Sequence, residues 1–93
     1  MADPACKAAG ERLVTAWADS ADPAWLARLR PMVLPQLADR LATVDRSVLP
    51  RGPVVVRSVE IVDGGCLIGA TVGGTPVTAA LSGGLGVAID EGS

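Results

Sequence analysis

PVVVRSVEIVDGGCLIGATVGGTPVTAALSGGLGVAIDE, residues 53–91, decides the fold. Four runs rich in Val, Ile, Thr and Ala stand out: Val54–Val62, Cys66–Val72, Thr75–Ser82 and Leu85–Asp90. Glycine-containing dipeptides separate them, which reads as four strands joined by hairpin turns. Alternate residues of a strand fall on opposite faces of a sheet, so register can be worked out from the turns. A two-residue Gly73-Gly74 loop sets Ala70 against Val77, Ile68 against Ala79 and Cys66 against Leu81. A two-residue Asp63-Gly64 loop sets Ile61 against Cys66, Val59 against Ile68, Arg57 against Ala70 and Val55 against Val72. One apolar face results. A two-residue Gly83-Gly84 loop breaks it by setting Leu85, Val87 and Ile89 against Ser82, Ala80 and Thr78. A three-residue Ser82-Gly83-Gly84 loop with a glycine bulge restores Leu81–Leu85, Ala79–Val87 and Val77–Ile89, and is the expected connection.

The rest of the chain reads as helices that cover this apolar face. Asp3-Pro4 is a cap followed by proline at the first helical position. Cys6, Ala9, Gly10, Leu13, Ala16 and Trp17 then recur at helical spacing, which predicts a helix over about 3–19. Asp22-Pro23 repeats the start signal for a short helix over about 23–30, buried through Trp25, Leu26 and Leu29 and halted before Pro31. Pro35 opens a third helix over about 35–45, with Leu37, Leu41 and Val44 at i, i+4 and i+7. Leu49-Pro50-Arg51-Gly52-Pro53 is a connector. Three helices followed by a meander predict one α+β domain over residues 1–93, with the helices on one face of a curved four-stranded antiparallel sheet.

Composition fits one small core. The 93 residues are 49% apolar, but the only aromatics are Trp17 and Trp25, so Leu, Val, Ile and Ala fill the interior around two indoles. Residues 53–93 carry one cation, Arg57, and four carboxylates, Glu60, Asp63, Asp90 and Glu91. No concentrated basic surface suggests nucleic-acid binding. No apolar run reaches the roughly 20 residues of a membrane-spanning helix, and the N-terminus lacks a signal-peptide pattern. A soluble chain of unassigned compartment is expected, cytoplasmic unless a leader or anchor was removed.

Residues that could do chemistry are sparse. Without histidine, Cys6 and Cys66 have no partner for a metal knuckle or a Cys–His nucleophile, so no metal or cofactor is expected. Both cysteines fall on core-facing positions and are expected as buried thiols, with a disulfide as the alternative outside the cytoplasm. The glycine pairs lie between strands with no Gly-Lys-Ser/Thr after them, so they read as turns and not as phosphate cradles. The carboxylates sit mostly at helix ends and turns, where capping explains them. No catalytic residues are expected.

Arg57 does not fit the register, because it would face inward beside Val55, Val59 and Ile61. It either lies near the sheet edge and reaches water or an acid such as Asp39 or Asp45, or it anchors an anion at the mouth of a cavity. The opposite face, with Val54, Val56, Ser58, Glu60, Val62, Leu67, Thr71, Thr78, Ala80 and Ala88, is apolar enough to suggest a protein interface.

Ala16-Trp17, Asp22-Pro23-Ala24-Trp25-Leu26, Leu29-Arg30-Pro31, Leu34-Pro35-Gln36-Leu37 and Val48-Leu49-Pro50 resemble small actinobacterial proteins related to conjugation and type IV secretion scaffolds. Three helices before a curved meander resemble the nuclear transport factor 2-like, or cystatin-like, cone. The resemblance implies a non-catalytic, oligomerising assembly component whose domain sits outside the cytoplasmic membrane. It also leaves open a small-molecule binder whose pocket is lined by Trp17, Trp25, Val59 and Ile68 with Arg57 as polar anchor.

Overall fold

The computed structural model describes residues 4–91. Its elements are α1 (Pro4–Ala18), α2 (Trp25–Leu29), α3 (Pro35–Leu41), and strands β1 (Val54–Val62), β2 (Gly65–Val72), β3 (Thr75–Ser82) and β4 (Leu85–Glu91). Short 3-10 turns at Arg30–Met32 and Arg46–Val48 link the helices to each other and to the connector. The architecture is α+β. The strands form one antiparallel sheet in the order β1-β2-β3-β4, and α1 lies across all four of them.

Two helices are shorter than their sequence patterns, for local reasons. The Asp22 carboxylate accepts the Ala24 N–H at 2.9 Å, which makes a turn of the residues before Trp25 in place of a first helical turn. Pro31 then falls within a 3-10 turn that continues α2. At α3, the helix closes at Leu41, where the Thr43 and Val44 N–H groups turn to the Arg40 and Leu41 carbonyls three residues back, and Asp45 then takes an extended backbone and accepts both the N–H and the hydroxyl of Ser47, at 3.0 and 2.6 Å. Val44, expected on the buried side, is therefore exposed. Asp3, expected to cap α1, lies outside the described residues. Leu34 precedes α3 without a side-chain cap, yet its N–H is bound to the Gly86 carbonyl at 2.9 Å, which ties the helix start to β4.

The β2–β3 register is the expected one, with Cys66↔Leu81, Ile68↔Ala79 and Ala70↔Val77. The other two pairings each depart from expectation at one residue. In β1, Ile61↔Cys66 and Val59↔Ile68 hold, but Arg57 is extruded as a bulge between Ser58↔Gly69 and Val56↔Ala70. The bulge reverses the phase of the strand's first half, so Val54 and Val56 pack against the core while Val55 and Arg57 are exposed. Expelling the one charge from an apolar face supplies the physical reason.

In β4 the connection is a two-residue Gly83-Gly84 loop, not the expected three-residue loop. Both glycines take positive φ, 60° and 81°, as a primed turn requires. Phase is recovered later, by a bulge at Val87 between Leu81↔Gly86 and Ala80↔Ala88. Gly86 and Ile89 therefore face the helices, and Val87, expected inside, is 41% exposed. Gly86 suits its place, because a Cβ there would lie 2.8 Å from Leu13 and 3.0 Å from Val33.

The core lies between helices and sheet. Leu13, Val14 and Trp17 of α1, Trp25 and Leu29 of α2 and Leu37 and Leu41 of α3 pack against Ile68, Val72, Val77 and Ala79. Trp25 donates its indole N–H to the Trp17 carbonyl at 2.9 Å, which satisfies the one polar group it brings inside. Cys6 and Cys66 are joined as a disulfide between the first turn of α1 and β2. The expectation of buried free thiols is thus corrected. The helical stripe that buries Cys6 also carries its sulfur to the inward Cys66, with the two Cα atoms 6.5 Å apart, a spacing a disulfide accepts.

Candidate interaction face

Among the described residues no helix lies on the sheet's second face. From β1 it presents Val55, Ser58, Glu60 and Val62, from β2 Leu67 and Thr71, from β3 Pro76, Thr78 and Ala80, and from β4 Leu85, Ala88 and Asp90. Cross-strand neighbours place them in rows: Glu60, Leu67, Ala80 and Ala88 form one, and Ser58, Gly69, Thr78 and Asp90 the next. Most of these side chains are small. Leu67, at the centre, stays partly exposed beside Gly65 and Gly69. A Cβ on Gly69 would collide with the Ser58 hydroxyl, so the face is low-relief by backbone contact as well as by composition.

Eight of the ten residues expected on an interface face meet here: Ser58, Glu60, Val62, Leu67, Thr71, Thr78, Ala80 and Ala88. Val54 and Val56 do not, because the Arg57 bulge turns them inward. Val55 takes their place on the outer face, and Leu85 joins it through the β4 phase change. Both were hidden in the sequence by runs that are apolar in either phase.

The sheet's edges are less available than its face. β1 is interrupted at Arg57 and β4 at Val87, and bulges at edges disfavour strand addition. The β4 edge is also occupied at Gly86, where Val33 makes a parallel bridge.

The residues expected to line a ligand cone are not gathered around a cavity. Trp17, Trp25 and Ile68 are at most 2% exposed and fill the core, and Val59 packs against them. Arg57 stands on the exposed bulge. An open groove of about 460 Å³ lies instead at the disulfide end, lined by Ala5, Cys6, Ile61, Val62, Leu81 and the turn glycines Gly64 and Gly83. Its surface is apolar, with Ile61 50% exposed. A second groove of about 570 Å³ runs between the end of α1 and the connector, past Thr15, Asp19, Arg28 and Arg51.

Charged groups at the helical end are engaged with one another. Arg28 bridges Asp22 at 2.7 Å and Asp19 at 3.0 Å. Arg46 donates to the Asp22 carbonyl at 2.9 Å and lies 5.6 Å from the Trp25 ring centroid, within cation–π range. The Arg28 hydrogen bond, then the Ala24 N–H, hold the Asp22 carboxyl below the usual carboxylate range, and Arg28 is raised in turn by its hydrogen bonds to Asp22 first and Asp19 second. Ser47 does the same for Asp45, through its hydroxyl first and its N–H second.

Two folded-state pKa values lie below their unfolded values, so the stability they contribute is present above the usual carboxylate value, about 3.9, and lost as pH falls through the depressed ones. Urea midpoints are expected to agree at pH 7 and pH 5 and to fall below about pH 4. The D22N variant should show a shallower acid limb. An identical acid limb in D22N would remove Asp22 from this account.

Among the described residues no group of three or more His, Cys, Asp or Glu side chains could hold a metal ion. No helix among these residues is long and apolar enough to cross a membrane. No family model, no curated protein and no solved structure matches the chain.

Proposed function

We propose that this chain is a non-catalytic structural domain that associates with further copies of itself within a larger assembly, using the open face of its sheet. The observation that carries this reading is the asymmetry of the sheet. One face is covered by α1 except at its disulfide end, while the other leaves Val55, Val62, Leu67, Ala80, Leu85 and Ala88 at least partly exposed. Contiguous apolar surface of this kind marks interaction sites more often than accident. Both edges carry bulges, which favours the face over strand addition.

The resemblance of the helical motifs to conjugation and type IV secretion scaffolds, and of the element order to the nuclear transport factor 2-like cone, extends the proposal to an assembly component of that kind. The Cys6–Cys66 disulfide supports a working place in an oxidising compartment, outside the cytoplasmic membrane.

Sedimentation equilibrium over a wide concentration range tests the proposal. A concentration-dependent dimer or higher oligomer is expected, weakened by placing a charge at Leu67 in the L67E variant. A monomer at every concentration would overturn self-association.

A further inference from the structure

We infer that the partner on the open face is a second copy of this chain, related by a two-fold axis that runs along the strands, so that Arg57 on β1 meets the partner's Asp90 on β4. The inference rests on the self-association reading above and adds to it an arrangement that can fail on its own.

It comes from where the sheet's charges stand. Arg57 is the only cation in residues 53–93. Its bulge lies between the pairs Val56↔Ala70 and Ser58↔Gly69. Following those pairs across the sheet, Ala70 meets Val77 and then Glu91, and Gly69 meets Thr78 and then Asp90. The cation and the two acids therefore occupy one level of the sheet, at opposite edges. All three are exposed, and Asp90 lies in register with the outward Thr78.

Two in-plane axes can stack this face on itself. An axis along the strands keeps each level and exchanges the edges, which lays β1 over the partner's β4. Each Arg57 then faces an acidic edge, twice by symmetry. An axis across the strands instead lays β4 over β4 and β1 over β1. That sets Arg57 near the partner's Glu60, but it also brings two acidic edges within a Debye length, about 8–10 Å, of each other. Opposite charges at a rim fix register, and like charges there are penalised, so the first axis is preferred.

The centre of the face agrees with such a pairing. Isologous contact keeps each level, so Leu67 of β2 lies over the small Ala80 of the partner's β3 and Thr71 over its Pro76. Small side chains and the glycines of β2 allow close face-to-face packing near the roughly 10 Å usual for stacked sheets. The area is modest. Four strands at about 4.8 Å and about seven residues at about 3.3 Å give a face of roughly 19 by 23 Å. Pairing buries on the order of 900 Å² in total, just under the roughly 1,000 Å² of a stable interface. A weak, salt-sensitive dimer follows.

Charge reversal followed by sedimentation equilibrium at low and high salt tests the arrangement, with circular dichroism confirming that each variant is folded. R57E is expected to weaken the dimer about tenfold or more, since two attractive contacts become repulsive. D90R should weaken it similarly, and R57E/D90R together should recover it. Recovery by R57E/E60R in place of R57E/D90R would indicate the axis across the strands and overturn this one. A dimer unmoved by R57E also overturns the arrangement while leaving self-association standing. A wild-type monomer at all concentrations overturns both.

Discussion

Removing the Cys6–Cys66 bond is expected to cost this domain about 4 kcal/mol. The two cysteines are 60 residues apart in sequence, and the chain-entropy relation for a loop of that length gives a value near the upper end of the usual 2–4 kcal/mol range. A 93-residue domain has a total stability of roughly 5–14 kcal/mol, so the bond supplies a large part of it. For a domain of this size each kcal/mol shifts the thermal midpoint by about 4–8 °C. The C6A/C66A variant, and the reduced wild type, are therefore expected to melt about 15–30 °C lower. Alanine is preferred to serine at position 66 because that site is fully buried and offers a hydroxyl no water. The local effect should be uneven. The bond pins the first turn of α1 to β2, so amides of residues 6–10 should lose exchange protection before those of β2 and β3. Equal midpoints with and without reductant would show that the covalent link adds nothing that packing of α1 does not already provide.

The parts of this fold legible in the sequence are those where a residue type has only one place to go. Gly73-Gly74 and Gly83-Gly84 can adopt the left-handed conformations of primed turns without a Cβ penalty, and β2 alternates cleanly between Cys66, Ile68, Ala70 and Val72 on one face and Leu67, Gly69 and Thr71 on the other. The β2–β3 register follows directly. Phase fails where both faces of a run are apolar. Val54-Val55-Val56 can bury either set, and so can Leu85 to Ile89, so alternation alone does not say that a residue has been extruded. Arg57 was the one available signal, because a charge that falls inside an otherwise apolar phase marks a place where the phase must change. Val87 offers no such mark. Its bulge depends on the tight Gly83-Gly84 turn and on Leu13, Val33 and Leu37 closing over Gly86, contacts between segments about 50 to 70 residues apart in the chain.

The same physics governs the candidate face. Glu60, Val62, Leu67, Thr71, Thr78 and Ala80 are legible as outward because they lie on strands, or halves of strands, whose phase is unaffected by the bulges. Val54 and Val56 lie beyond the Arg57 bulge, where alternation points to the wrong face. The pairing of Cys6 with Cys66 was undecided in the sequence for a different reason. Helical spacing puts Cys6 on the inward stripe, but only the height at which α1 crosses β2 brings the two sulfurs together.

That crossing height is set at Gly10, where a single methyl group is expected to reverse its effect on stability according to what lies beneath it. Gly10 is buried in the middle of α1, and a Cβ there would collide with the first side-chain methylene of Ile68 and come within 2.8 Å of its terminal methyl. Ile68 is fully buried and its β-branched side chain is stiff, so it cannot simply swing away. Overpacking of this kind costs about 1–3 kcal/mol, more than the 0.8–1 kcal/mol or so that alanine gains over glycine in a helix. G10A is therefore expected to destabilise the wild type. I68A alone should cost about 2–5 kcal/mol through the cavity it leaves. In that background the two closest contacts are gone and only the Cβ of residue 68 remains near, at 3.3 Å, so G10A should stabilise, both by helix propensity and by partly filling the space. The coupling energy of the double-mutant cycle should exceed 1 kcal/mol, well outside the additivity expected of independent sites. If G10A stabilises both backgrounds equally, α1 has freedom to lift off β2, and the close approach that aligns Cys6 with Cys66 is not what fixes the helix on the sheet.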